Sequence, residues 1–143
     1  MRSAEPAADL IAHVSAELTT TPAKSRALSV AQETKIRTRL VAELGELREL
    51  ADRLRADLAS GIETRRGAQN DETDDPEGSN LAFEGLQVGA MLQQTRRHID
   101  EIEHALGRLD LGSYGTCVEC SGTIASGRLE ARPSTAHCIS CAS

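Results

Sequence analysis

Residues 40–58, LVAELGELRELADRLRADL, carry apolar side chains at alternating steps of four and three residues. The apolar positions of this run are Leu40, Leu44, Leu47, Ala51, Leu54 and Leu58. Such steps average about 3.5 residues, which is the repeat of a coiled-coil seam. A second run repeats the spacing at Val88, Leu92, Thr95, Ile99, Ile102, Leu106 and Leu109. Two heptad segments joined by a short polar loop predict a mainly α fold, a long antiparallel two-helix coiled-coil hairpin over residues 29–110.

Local signals mark both ends of the first helix. Ser29 and Gln32 have the spacing of a capping box, in which each side chain bonds the backbone N–H of the other residue. Arg65 and Arg66 suit a last helical turn because the helix dipole favours positive charge there. Gly67 is then predicted to lie just past the helix, in the left-handed conformation that glycine adopts without strain.

Residues 111–143 form a predicted C-terminal lobe that contains all four cysteines, as Cys117-x-x-Cys120 and Cys138-x-x-Cys141. Each pair folds as a knuckle that directs two sulfurs to one point, and two knuckles complete a tetrahedron of thiolates around Zn²⁺. Four protein ligands leave no open coordination position, so one zinc ion with a structural role is predicted. Two disulfides would use the same cysteines, and His137 could compete as a ligand, but the spacing favours a zinc finger with four cysteine ligands.

An acidic tip is predicted at residues 70–78, where the hairpin turns. The net charge of the chain is −6, and residues 71–77 supply most of it through Asp71, Glu72, Asp74, Asp75 and Glu77. Asp75 as an N-cap before Pro76, with Glu77 in the first turn, explains part of this set. The other carboxylates repel one another on an exposed loop, which indicates a tip that binds a cationic or metal-bearing site on a partner.

Composition argues against several classes of function. Aromatic residues make up 1 % of the chain, so base-stacking platforms are not expected. The arginines alternate with acids along the predicted helices, so the basic cluster that direct DNA binding requires is not expected either. Residues 1–28 lack a signal-peptide pattern, and no segment approaches membrane-spanning length, which predicts a cytoplasmic chain with no membrane partner. Residues 1–28 are predicted to be partly flexible or to form a short helix.

Three sequence stretches of the lobe extend beyond the cysteines: Gly112-Ser-Tyr114-Gly115-Thr-Cys117-Val-Glu-Cys120, Arg128-Leu129-Glu-Ala131-Arg-Pro133 and Cys138-Ile-Ser-Cys141. Together they resemble the zinc finger of the DksA/TraR family. The hairpin and the tip match the layout of the same family, with Asp71, Asp74 and Pro76 similar to its Asp-x-x-Asp-x-Ala motif. The sequence Asp-Asp-Pro-Glu-Gly at residues 74–78 is similar to that of an actinobacterial-type variant of the family.

The resemblance implies a bacterial transcription regulator that is not an enzyme and does not bind DNA. Members of the family insert the hairpin through the secondary channel of RNA polymerase and place the tip near the catalytic Mg²⁺. The resemblance does not imply that this chain responds to guanosine tetraphosphate. The sequence ends two residues after Cys141, so the C-terminal helix that many members of the family have is not expected here. A monomer is expected, and Arg128, Leu129 and Pro133 are expected to pack the lobe against the hairpin.

Two other functions stay open from the sequence. The tip carboxylates could hold Mg²⁺ and promote transcript cleavage, since carboxylates and water are the ligands that this ion prefers. Alternatively, the chain could be an adaptor, stabilised by its zinc finger, that binds another protein or a nucleic acid, because fold alone does not determine function.

Overall fold

The fold of residues 28–68 and 77–142, which a computed structural model describes, is built from two long helices and one short one. Helix α1 spans Val30–Ala68, α2 spans Glu77–Asp110, and α3 spans Ser126–Ala131. Helices α1 and α2 pack against each other as an antiparallel hairpin. In the described part of the chain the only β pairing is an isolated bridge between Thr116 and Thr123. The predicted mainly α hairpin with a C-terminal lobe is confirmed.

The first helix begins at the predicted capping box. The Ser29 N–H donates to Oε1 of Gln32 over 2.8 Å, and the Gln32 N–H donates to Oγ of Ser29 over 3.3 Å. Arg65 and Arg66 lie in the last turn, as predicted. The prediction for Gly67 is wrong: this residue is helical and has no left-handed φ, so α1 continues to Ala68.

Several predictions fall on parts of the chain outside the described residues. They are the short helix predicted within residues 1–28, of which only Leu28 is described, the N-cap at Asp75 and the first helical position at Pro76. Helix α2 begins at Glu77, directly after residues 69–76, which are not described. None of the helices within residues 28–68 and 77–142 is long and apolar enough to cross a membrane.

One hydrophobic core joins the hairpin to the C-terminal lobe, and we call the part of the hairpin that contributes to it the base. Its buried members come from three regions of the chain. They are Leu28, Ile36, Leu40 and Leu44 in and just before α1, Ile102 and Ala105 on α2, and Cys117, Ile124 and Leu129 in the lobe. Of these, Leu40, Ile102 and Leu129 are fully buried. The base and the lobe therefore fold as one unit.

A second, smaller core lies further along the hairpin. Its buried members are Ala51, Leu54 and Leu92, with Leu58 and Val88 packed against them and partly exposed. These residues belong to the two predicted heptad runs, so the seam pairs the helices as the repeat predicts. An exposed ion pair between Arg48 and Glu103, 2.7 Å apart, links the helices between the two cores.

Polar contacts fix the lobe on the base. The Arg39 guanidinium donates to the carbonyl of Glu130 over 2.8 Å, and Arg108 donates to the carbonyls of Ser134 and Thr135 over 3.2 and 3.1 Å. These bonds satisfy carbonyls at the end of α3 and in the irregular segment after it, which have few regular partners of their own. The expected packing role of Leu129 is thus joined by guanidinium clamps from both long helices.

Candidate metal centre and acidic tip

The lobe begins with the turn that ends α2. Gly112 adopts a left-handed conformation with φ 70°, and the Ser113 N–H returns to the carbonyl of Arg108 over 2.9 Å. This is the usual way to close a helix C-terminus, since glycine has no Cβ to strain. The chain is thereby turned back along α2, toward the position that the first knuckle occupies.

The first knuckle is held by backbone hydrogen bonds around Cys117 and Cys120. The Cys117 N–H donates to Gly122 over 2.8 Å, and the Ser121 N–H donates to Cys117 over 3.0 Å. Ser121 has φ 58°, a conformation that glycine adopts more readily, so the serine is tolerated at a cost of about 1–2 kcal/mol. A Cβ at Gly122 would lie 3.2 Å from the Cys120 sulfur, which explains why a glycine follows.

The second knuckle forms at Cys138 and Cys141. The N–H groups of Cys141 and Ala142 donate to the carbonyl of Cys138 over 3.2 and 3.0 Å. The two knuckles are tied together by the Val118 N–H, which donates to the carbonyl of Ala136 over 3.0 Å. Both knuckles therefore point their sulfurs into the same space.

The four cysteine sulfurs form one compact cluster. The ligand atoms of Cys117, Cys120, Cys138 and Cys141 all lie within 4.8 Å of one another, and the sulfurs of Cys120 and Cys138 are 3.7 Å apart. A tetrahedron with Zn–S bonds of ~2.3 Å has edges of about 3.8 Å. The cluster therefore fits one structural zinc ion, and the cysteines are free thiols and not disulfides.

The protonation of these thiols indicates why a cation belongs there. Backbone N–H groups of Cys120 and Cys138 lower the pKa of Cys117 to about 6. Hydrogen bonds with Cys138 and Cys120 raise the pKa of Cys141 to about 12. Four thiolates this close repel one another, and a divalent ion among them removes that cost.

His137 takes part in other contacts next to the cluster. Its Nε2 lies 3.7 Å from Oε2 of Glu119, and its backbone carbonyl accepts a hydrogen bond of 3.0 Å from Nε of Arg128. The cluster that could hold a metal consists of the four cysteines alone among the residues searched in the described part. Arg128 thus braces the chain directly before Cys138, through a contact within the lobe.

A hydrogen bond between Tyr114 and Pro133 links the start of the lobe to the segment after α3. The Tyr114 hydroxyl donates to the carbonyl of buried Pro133 over 2.7 Å. Burial raises the pKa of Tyr114 to about 12, although the positive charges of Arg108 and Arg39 act against that shift. Burial also lowers the pKa of Arg108. Sequence spacing gave no sign of this pair, because its residues are 19 positions apart in an irregular segment.

The sequence of the lobe matches a known finger. Residues 112–143 match the C4-type zinc finger of prokaryotic dksA/traR proteins. The match covers the lobe alone, so the similarity to the DksA/TraR family lies in the sequence of the finger. Transcription factor DksA2 from Pseudomonas aeruginosa has a similar solved structure, with 25 % sequence identity and a TM-score of 0.56. That similarity covers 78 % of this chain and 81 % of DksA2, which is more than the finger alone, so it includes a large part of the hairpin.

No curated protein matches the sequence. The DksA/TraR finger and the DksA2-like fold support a transcription factor of the DksA/TraR type.

The structure does not describe the side chains of the predicted tip. Asp71, Glu72, Asp74 and Asp75 lie in the connection between α1 and α2, outside the described residues. Glu77 is the first residue of α2, and only its backbone is described. The partner-binding role of these five carboxylates stays a prediction.

Proposed function

We propose that this chain is a cytoplasmic regulator that binds RNA polymerase through the secondary channel and presents its acidic tip near the catalytic centre. The observation that carries the proposal is the arrangement of the hairpin. Helices of 39 and 34 residues extend from the base, and the connection that contains the acids joins their far ends. At 1.5 Å per residue, α2 is about 50 Å long.

This shape suits a site that a compact domain could not reach. The lobe packs against the base of the hairpin, at the end away from the tip, so it would stay at the mouth of a narrow channel. The tip would carry up to five negative charges toward cationic groups or metal ions inside the partner. The zinc would act only on the fold, because four cysteine ligands complete its coordination and leave no position for a substrate. We therefore propose a regulator, monomeric in solution, and not an enzyme.

The test separates binding from regulation. Purified core polymerase is titrated with the wild type and with the D71N/D74N variant, and open-complex lifetime and single-round transcription are measured with each. We expect D71N/D74N to bind within about twofold of the wild type, because the hairpin supplies most of the contact area, and to lose the effect on initiation. The matched control is D57N/D100N, which removes the same charge from two exposed positions on the sides of the hairpin.

Three outcomes would contradict the proposal in different ways. If the wild type does not bind polymerase, the partner is wrong. If D71N/D74N regulates as the wild type does, the tip is only a capped loop. If backtracked complexes release short 3′ fragments when the wild type is added, and not when D71N/D74N is added, the chain is a transcript-cleavage factor.

A further inference from the structure

Two large apolar side chains lie exposed on α2 near the acidic tip. Phe83, the only phenylalanine of the chain, is 59 % exposed, and Leu86 is 73 % exposed. A side chain of this size, left in water, forgoes about 1.5–3 kcal/mol of favourable burial. Single exposed apolar residues are common, but two that share one face near a predicted binding end need an explanation.

Packing of the hairpin does not supply that explanation. Gly85 faces α1, because a Cβ there would lie 3.4 Å from the Arg65 guanidinium. At ~100° per residue, Phe83 points about 160° away from Gly85, to the outside of the hairpin, and Leu86 lies within about 60° of Phe83. Ala90, also exposed, falls between them in direction. We call Phe83, Leu86 and Ala90 the outer stripe.

The helix surface around the outer stripe is almost free of charge. Residues 78–95 contain one charged residue, Glu84, whereas residues 49–66 on the antiparallel α1 contain eight, four of each sign. The hairpin therefore has a charged side on α1 and an uncharged side on α2 at the same distance from the tip. Uncharged surface with apolar anchors is typical of the central part of a protein interface.

The position of the outer stripe ties it to the tip. Phe83 and Ala90 follow Glu77 by six and thirteen residues, so they lie about 9 and 20 Å from the start of α2. A cavity that receives the tip to a depth of about 20 Å or more would also enclose this part of the hairpin. An uncharged wall could contact the outer stripe without leaving a charge desolvated, and the mixed charges of α1 would then face water or polar groups.

Other occupants fit less well. A nucleic acid would require Lys or Arg, and residues 78–95 contain none. A second copy of the chain would need an interface of about 800 Å² from each partner, and three side chains on one helix supply a few hundred at most. A small apolar contact suits a chain that the rest of the hairpin and the lobe already hold, and that needs to be oriented.

We propose that the outer stripe docks against an uncharged, apolar protein surface in the wall of the cavity that receives the tip, and so sets the rotation of the hairpin within it. This inference rests on the proposed function, since the wall belongs to RNA polymerase. The outer stripe would act as a positioning contact that decides which side of the hairpin faces the catalytic centre.

The experiment compares two substitutions at equal depth. Phe83 lies six residues after the start of α2, and Ile62, 44 % exposed, lies six residues before the end of α1. Affinity for core polymerase is measured for the wild type, F83Q/L86Q and I62Q, with melting temperatures as a check on folding. We expect F83Q/L86Q to bind at least tenfold more weakly, because two buried anchors are lost, and I62Q to bind within about twofold of the wild type. A photo-crosslinker at position 83 should capture a polymerase subunit, and one at position 62 should not.

Each other result decides against the inference. If the wild type binds polymerase and F83Q/L86Q binds equally well, the outer stripe has no docking role, and the proposed function stands. If the wild type does not bind polymerase, both proposals fail together. If sedimentation reveals dimers that F83Q/L86Q abolishes, while polymerase affinity is unchanged, the occupant is a second copy of the chain.

Discussion

The base and the far part of the hairpin use the same heptad repeat but are packed very differently. At the base, the lobe covers the two helices and buries residues of all three parts in one core. Beyond Leu54 and Leu92, toward the tip, no side chain that the structure describes is buried. We call this region, residues 55–67 and 80–91, the distal arm. Two helices alone can bury a single seam, and a full core needs a third element.

The difference indicates where stability and function lie. The base, with its metal cluster and guanidinium clamps, contributes most of the burial, so it should set the global unfolding free energy. The distal arm makes few buried contacts, so it should open locally at lower cost, as regions that bind partners commonly do. A stable base joined to a less stable distal arm would let the tip adjust to its binding site while the zinc finger stays folded.

The largest effect should follow loss of one zinc ligand. Cys138→Ser removes a thiolate from the cluster, and structural zinc in small fingers contributes about 10–16 kcal/mol of apparent binding free energy. We expect the lobe to unfold and the base to lose the cover of Ile124 and Leu129, with a melting transition far below that of the wild type. Zinc content and helical circular dichroism, measured together, check this.

Ser140→Ala is the control for that variant, because it changes an exposed residue between the two ligands of the same knuckle. It should keep one zinc ion per chain and the wild-type melting curve. A C138S protein that still binds one zinc and melts like the wild type would contradict the dependence of the base on the metal.

The second-largest effect is expected when a leucine of the heptad seam is truncated, and its size should depend on whether the leucine lies in the base or in the distal arm. Leu40 is fully buried at the base, and Leu58 is partly exposed in the distal arm. We expect Leu40→Ala to lower the free energy of unfolding by about 2–5 kcal/mol, and Leu58→Ala by about 1 kcal/mol, since a smaller cavity is left at an open site. Urea unfolding measures both values, and hydrogen exchange should place the Leu58→Ala effect in the distal arm. Equal costs would mean that the packing is uniform along the hairpin.

The repeat in the sequence predicted the fold because a helix period is a local property. Leu40, Leu44 and Leu54 of the first run, and Leu92 and Ile102 of the second, are buried as the seam requires. The cysteine spacing predicted the metal cluster for the same reason, since each knuckle forms within four residues. Both features could be recognised without knowing how the lobe meets the hairpin.

Features that depend on long-range contact were missed. Ile36 and Ala105 are buried outside the heptad positions, because the lobe adds a second contact surface that the repeat does not encode. The Gly67 prediction was wrong because a glycine can end a helix but need not. The exposed Phe83 belongs to neither pattern, and its role depends on a partner that a single chain does not contain.

The smallest effect concerns the contact between Tyr114 and Pro133. Tyr114→Phe removes the hydroxyl that donates to the Pro133 carbonyl over 2.7 Å, and we expect the free energy of unfolding to fall by about 0.5–1.5 kcal/mol. The wild type also offers a spectroscopic test, because the chain has one tyrosine and no tryptophan, so the ultraviolet absorbance of phenolate reports Tyr114 alone.

The raised pKa of Tyr114 fixes the direction in which stability depends on pH. Burial raises the pKa of Tyr114 to about 12, from about 10 in an unfolded chain, so the folded protein holds this proton more tightly. The contribution to stability is complete below about pH 10 and is lost as the pH rises through 12, because the unfolded state releases the proton first. Titration of the folded protein should therefore give a later midpoint than titration in urea. A common midpoint near 10 would show that Tyr114 is solvated, and that the lobe is held less closely to the base than the comparison with the distal arm requires.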